Sequence, residues 1–165
     1  MVDESVRVAC VQAEPVILAR AATIDKLAAL ATDVAAAGAS LALFPEAFIP
    51  VYPSSRWARF LAGWEEGKAA KEAFGRLARE SIRIPGPDSD RLGQIARENG
   101  LWLAVGANEL GGGTIYNALL VYSPAGELAL HHRKLMPTNH ERLVWGLGGG
   151  EGLNAVSTGF ARVGG

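Results

Sequence analysis

The chain has 165 residues, 49% of them hydrophobic and 20% charged, with 16 basic against 17 acidic side chains and a formal net charge of −1 at pH 7. So apolar a chain with so little net charge excludes disorder and demands a sizeable core, and one domain is the default at this length. With no dense basic block there is no electrostatic footprint for nucleic acid or anionic lipid, so neither nucleic acid nor a membrane is expected as partner. The start Met1-Val2-Asp3-Glu4-Ser5 is acidic where a secretory n-region would be basic, and no apolar run reaches the roughly 20 residues needed to cross a bilayer. The single cysteine, Cys10, cannot form an internal disulfide. Together these features predict a reducing, cytoplasmic setting.

Residues 6–11 are β-rich and mostly apolar, and read as a first strand buried on both faces, which places Cys10 in the core. Ile24, Leu27, Ala28, Ala31 and Val34 recur at helical spacing and predict a helix over about 20–37, closed by Gly38. Residues 41–44 follow as a short apolar strand, completing a β-α-β unit. Pro45 and Pro50 forbid a central strand there, so residues 45–56 form a loop at the strand's carboxyl end, where chemistry gathers in open parallel sheets. Residues 57–79 are polar and carry a helix best defined over 68–79, with Phe74 and Leu77 inward. The aromatics between Tyr52 and Trp64 suggest an aromatic-lined entrance, or ordinary packing.

Ile84-Pro85-Gly86-Pro87 breaks the chain, and Asp88 or Ser89 can cap a helix with Leu92, Ile95 and Ala96 on its inner face, ending at Asn99-Gly100. Residues 101–107, 115–122 and 127–133 read as three strands in meander order, joined by Gly111-Gly112-Gly113 and Ser123-Pro124-Ala125-Gly126. Residues 135–152 form a loop too long for a mere connector. The order of elements indicates an α/β layered fold. Several strands are apolar on both faces while only about three helices are available, so one sheet face should lack its cover.

Glu46 directly follows an apolar strand and a proline, a position that holds a carboxylate at the sheet edge where it can serve as general base; the alternative is a solvated loop glutamate. Strand alternation puts His132 and Lys134 on one face and His131 and Arg133 on the other. Lys134 can thus stabilise an oxyanion, or be a surface cation, and Glu141 in Asn139-His140-Glu141-Arg142 alone reads as a solvated charge. Adjacent histidines facing opposite ways cannot share an ion, so no metal site is expected. The glycine-rich stretch 146–152 is like a phosphate loop only in composition, since it misses the G-x-G-x-x-G spacing and no helix follows. No cofactor is expected.

The run G-A-S-L-A-L-F-P-E-A-F-I-P-V-Y-P at residues 38–53 resembles the glutamate signature of the nitrilase (carbon–nitrogen hydrolase) superfamily. The opening strand at 6–12 and the run H-R-K-L-M-P-T-N-H-E-R-L-V-W-G at 132–146 agree in order, the latter being similar to the nitrilase branch. The resemblance covers nearly the whole chain and implies the N-terminal half of an α-β-β-α layered sandwich, a carbon–nitrogen hydrolase domain over residues 1–165 that is incomplete at its C-terminus. It further implies Glu46 as general base, Lys134 as the cation that stabilises the tetrahedral intermediate, and Glu141 as the second glutamate that positions them. A nitrile would be the small-molecule substrate, a cysteine the nucleophile, and the assembly a homo-oligomer. The family's cysteine follows the strand that begins near Phe160, so this chain is expected to be inactive alone, and Cys10 is no substitute. Val51 and Gly149 depart from the pattern, which commonly has glycine and aspartate there. Two rival readings are a non-catalytic nitrilase-like module that binds a partner or its own copy through the uncovered face, and an unrelated small α/β binding domain.

Overall fold

A computed structural model describes residues 5–63 and 67–165; the acidic start at 1–4 and Trp64 of the expected entrance lie outside the described residues. Strands β1 (Val8–Cys10), β2 (Leu41–Leu43), β3 (Trp102–Gly111), β4 (Thr114–Tyr122) and β5 (Leu128–Arg133) form one sheet in sequence order. β1, β2 and β3 run parallel, with helix α1 (Arg20–Ala36) as the first crossover and α2 (Ser55–Leu61), α3 (Gly67–Glu80) and α4 (Pro87–Asn99) in the second. β3, β4 and β5 form the expected antiparallel meander. A hairpin of β6 (Ala155–Ser157) and β7 (Arg162–Gly164) closes the described chain.

Alternation along the strands sorts the core. Ala42, Leu103, Val105, Leu120 and Tyr122 point to one face and pack against Ile24, Leu27 and Ala31 of α1 and Leu92, Ile95 and Ala96 of α4. Each fully buried Leu, Ile or Val side chain there contributes roughly 1.5–3 kcal/mol by removal from water. On the opposite face Ala104, Val121 and Leu130 receive Val156 of β6. Further along that face the apolar surface is open, with Val8 52% and Leu43 42% exposed. The uncovered face expected from the scarcity of helices is present.

Three expectations need correction. β1 is not buried on both faces and Cys10 is exposed, because β1 is an edge strand whose Val8 and Cys10 point, level with Leu41 and Leu43, to the side away from α1 and α4. An apolar run alone does not reveal how many of its faces are covered. The residue preceding α4 is Gly86, with Pro87 in the first turn, rather than a capping Asp88 or Ser89. Asp88 instead pairs with Arg20 at 3.1 Å, and buried Ser89 shares a 2.9 Å hydrogen bond with the Tyr122 hydroxyl. Finally, the 45–56 loop ends earlier than expected, since α2 starts at Ser55 and makes a fourth helix. Among the described residues no helix is long and apolar enough to cross a membrane.

Candidate active site

The loop that carries Glu46 is laid directly on β3. A Cβ at Gly106 would stand 2.5 Å from Ala47 N, 2.5 Å from Pro45 O and 2.6 Å from Glu46 Cα, all backbone atoms, so only glycine permits this approach. The chain turns sharply behind the carboxylate, with Ala47 at φ 49, a conformation that costs an L residue about 1–2 kcal/mol. Asn108, fully buried on β3, secures the rest of the loop: its Nδ2 donates to Ile49 O (3.2 Å) and Val51 O (2.9 Å). Its Oδ1 accepts from the Trp145 indole at 2.6 Å. A second apolar cluster, including Ala47, Ala58, Leu61, Leu77, Ile115 and Trp145, clamps this loop between α2, α3 and the segment after β5.

β5 delivers Lys134 as alternation predicts. His131 and Arg133 turn to one side, where both bond buried Glu109, while His132 and Lys134 line the site face. Lys134 Nζ lies 2.8 Å from Glu46 Oε1 and 2.9 Å from Glu141 Oε2, so one ammonium joins the three candidate residues. Glu141 sits in a short 3₁₀ turn, Asn139–Leu143, capped reciprocally with Thr138: the Thr138 N–H donates to Glu141 Oε2. Its other oxygen, Oε1, accepts from the Tyr52 hydroxyl at 2.7 Å. Asn117 Nδ2 donates to Glu46 Oε1 at 2.6 Å.

The two carboxylates stand in different environments. Glu46 is 48% exposed, whereas Glu141 is 3% exposed with both oxygens bonded. Burial pushes the Glu141 carboxyl up, but hydrogen bonds from Thr138, Tyr52 and Lys134 outweigh it and leave it below the ordinary value. Burial likewise pushes the Lys134 ammonium down, and its bonds to Glu46 and Glu141 overcome this and raise it, so the cation is firmly charged. Tyr52 is pushed up to about 12 by burial and by its bond to Glu141, and stays a donor.

A cavity of about 280 Å³ opens beside these groups, lined by Glu46, Asn117, His132 and Lys134 with Leu43, Phe44 and Leu119. Cys10 is not among its lining residues. Of the expected aromatic entrance, Tyr52 is engaged with Glu141 and packs edge-on against Trp145 at 5.7 Å, while Trp57 and Phe60 are exposed on α2. The glycine-rich stretch is a strap across β5. Gly148 N donates to Lys134 O at 2.9 Å, a Cβ at Gly148 would lie 2.1 Å from Arg133 O, and one at Gly152 would lie 2.7 Å from His131 O. The space beside Gly149 is filled by the Glu151 carboxylate. Among the described residues no group of three or more His, Cys, Asp and Glu is arranged to hold a metal ion.

Asn108 and Asn117 are not singled out by the sequence, and Tyr52, expected at an aromatic entrance, serves instead as a donor to Glu141. A lone glycine inside an apolar strand, Gly106, and the T-x-x-E pattern from Thr138 to Glu141 were the available signals of a close backbone approach and a capped turn.

A half-exposed carboxylate beside a firmly charged ammonium, itself backed by a buried carboxylate, can accept a proton and hold developing negative charge within one small cavity. The family profile for carbon-nitrogen hydrolases matches residues 7–165, and the chain belongs to that family. It is 42% identical over 158 residues to an aliphatic nitrilase of Sinorhizobium fredii, covering 96% of this chain and 51% of that protein. It is 40% identical over 161 residues to nitrilase 1 of Arabidopsis thaliana, covering 97% of this chain and 46% of the relative. The chain thus spans about half the length of the curated relatives it matches. Among solved structures, the amidase from Nesterenkonia sp. AN1 superimposes with a TM-score of 0.70 at 19% identity, covering 98% of this chain and 56% of the amidase, which shows the half nitrilase-like α/β fold.

Proposed function

We propose that residues 1–165 supply the base and the cation of a nitrilase, which converts a nitrile to a carboxylic acid and ammonia. The observation that carries the reading is Lys134 Nζ held between Glu46 and Glu141, at 2.8 and 2.9 Å, at the wall of the cavity. The names of the relatives at about 40% identity support nitriles as the substrate class.

The chemistry follows from the groups. A cysteine thiol of ordinary pKa, about 8.5, is mostly protonated at neutral pH, so a carboxylate must take its proton as it attacks; that role falls to Glu46. The thiolate adds to the nitrile carbon and the nitrogen gains a proton, giving a covalent thioimidate. Water then adds, ammonia leaves, and a second water releases the acid and restores the thiol. Lys134, aimed at the negative charge that develops at each addition, is worth roughly 3 kcal/mol, the scale of one lost oxyanion donor. Glu141 accepts from Lys134 and Tyr52 with both oxygens occupied, and so holds the cation rather than moving protons.

In this reading the nucleophile comes from outside residues 1–165, since Cys10 is exposed on edge strand β1 and is not among the residues that line the cavity. Purified residues 1–165 are therefore expected to release no ammonia from an aliphatic or an aromatic nitrile; clear turnover overturns this. Substrate class is tested in a chimera in which residues 1–165 replace the matching half of the Sinorhizobium fredii aliphatic nitrilase. It should hydrolyse nitriles faster than the corresponding amides, and the reverse preference would place the site with amidases.

The exposed Val8 and Leu43 favour a second reading, in which this face joins a partner or a second copy in a homo-oligomer. Sedimentation of residues 1–165 as one discrete oligomer supports it, and a monomer or polydisperse aggregate opposes it.

A further inference from the structure

Asn117 lies on β4 directly across the ladder from Asn108 and is 5% exposed. It holds both members of the ion pair at once. Its Nδ2 donates to Glu46 Oε1 at 2.6 Å, and its main-chain carbonyl accepts the Lys134 N–H at 2.8 Å. Lys134 Nζ reaches the same Oε1 at 2.8 Å. Oε1 is thus taken by two donors, while Glu46 Oε2 has no hydrogen-bond partner among the described residues. The amide cannot be turned round, because its carbonyl would then face a carboxylate oxygen, acceptor against acceptor.

We propose that Asn117 is a positioning residue that pins Glu46 Oε1 in register with Lys134 and leaves Oε2 as the atom that takes the nucleophile's proton. Without its donor, a carboxylate that is 48% exposed is free to rotate into water, and Lys134 keeps only Glu141 as a fixed partner. The pinning stands on geometry alone; only the role of Oε2 rests on the nitrilase reading.

The test is a cycle of NMR titrations of the Lys134 ammonium in residues 1–165, comparing the unaltered chain, Asn117→Leu, Glu46→Gln and the double variant. Glu46→Gln removes a charged partner and lowers the Lys134 pKa; Asn117→Leu, though it changes no charge, is expected to lower it in the same direction by roughly half a unit or more. In the Glu46→Gln background the Asn117 substitution should have no further effect. The proposal is overturned if Asn117→Leu leaves Lys134 unmoved, or if its effect persists undiminished once Glu46 is gone. Should Asn117→Leu fail to fold, Asn117→Ala, which opens onto the cavity and admits water, is read by the same criteria. A merely structural asparagine would shift the urea midpoint and leave the Lys134 titration alone. A chimera with the second half of the Sinorhizobium fredii relative that is inactive on nitriles, beside a positive cycle, would sink the hydrolase reading and keep the positioning role.

Discussion

Two glutamates share one lysine, and their surroundings differ. Glu46 lines the cavity and keeps one oxygen without a hydrogen-bond partner among the described residues, while Glu141 spends both oxygens on Tyr52, Lys134 and Thr138. Tyr52→Phe removes one donor to the charged form of Glu141, so carbon-detected NMR should find its carboxyl shifted upward from the wild-type position. An unchanged titration would show that Lys134 and Thr138 suffice to hold it. The places of Glu46, after the apolar strand β2, and of Lys134, after β5, were legible in the sequence, since each stands at a strand's carboxyl end within a recognisable run. The bonds that Asn117 and Tyr52 make to the glutamates were not, because a polar residue in a strand or loop meets its charged partner only when register brings the two together, and register depends on the whole sheet.

At the scale of elements, the site depends on a loop and a strap seated on strands without side chains between them. Gly106→Ala would force Cβ into the backbone of residues 45–47, at a cost of roughly 1–3 kcal/mol or more by analogy with overpacked cores. Gly150→Ala, where no atom lies within 4 Å of the added methyl, should be nearly neutral. Urea denaturation of the two variants compares them directly, and equal midpoints would refute the seating argument. The order of strands and the principal helices were legible from periodicity and from Gly and Pro punctuation. β1 was misread because an edge strand can be as apolar as a central one, and α4 because Pro87 in the first turn, beside Gly86, starts the helix without an Asp or Ser cap.

The whole molecule responds to pH through groups remote from the site as well as within it. Glu109 is 1% exposed and bonded by Arg133 and His131; burial pushes its carboxyl up, but those bonds prevail and hold it at about 2 against an ordinary value of 4.5. A folded-state value below the unfolded one contributes stability that is present above about 4.5 and is lost as pH falls toward 2; Glu141 adds in the same direction. The urea midpoint should therefore drop steeply in that window, and Glu109→Gln, which leaves Arg133 without its partner, should cost roughly 3 kcal/mol at neutral pH and flatten the acid dependence. A variant with an unaltered acid profile would remove Glu109 from this account. The open face of the sheet was foreseen from the shortage of helices, yet which strands it exposes emerged only from the pairing order.

The most direct measurement is ammonia release from a nitrile by the chimera of residues 1–165 with the second half of the Sinorhizobium fredii relative, with and without Glu46→Gln. If Glu46 is the base that activates the nucleophile, the substitution lowers kcat at least about 10²-fold while the protein stays folded. A folded Glu46→Gln chimera that turns over at the unaltered rate would contradict the assignment of this site.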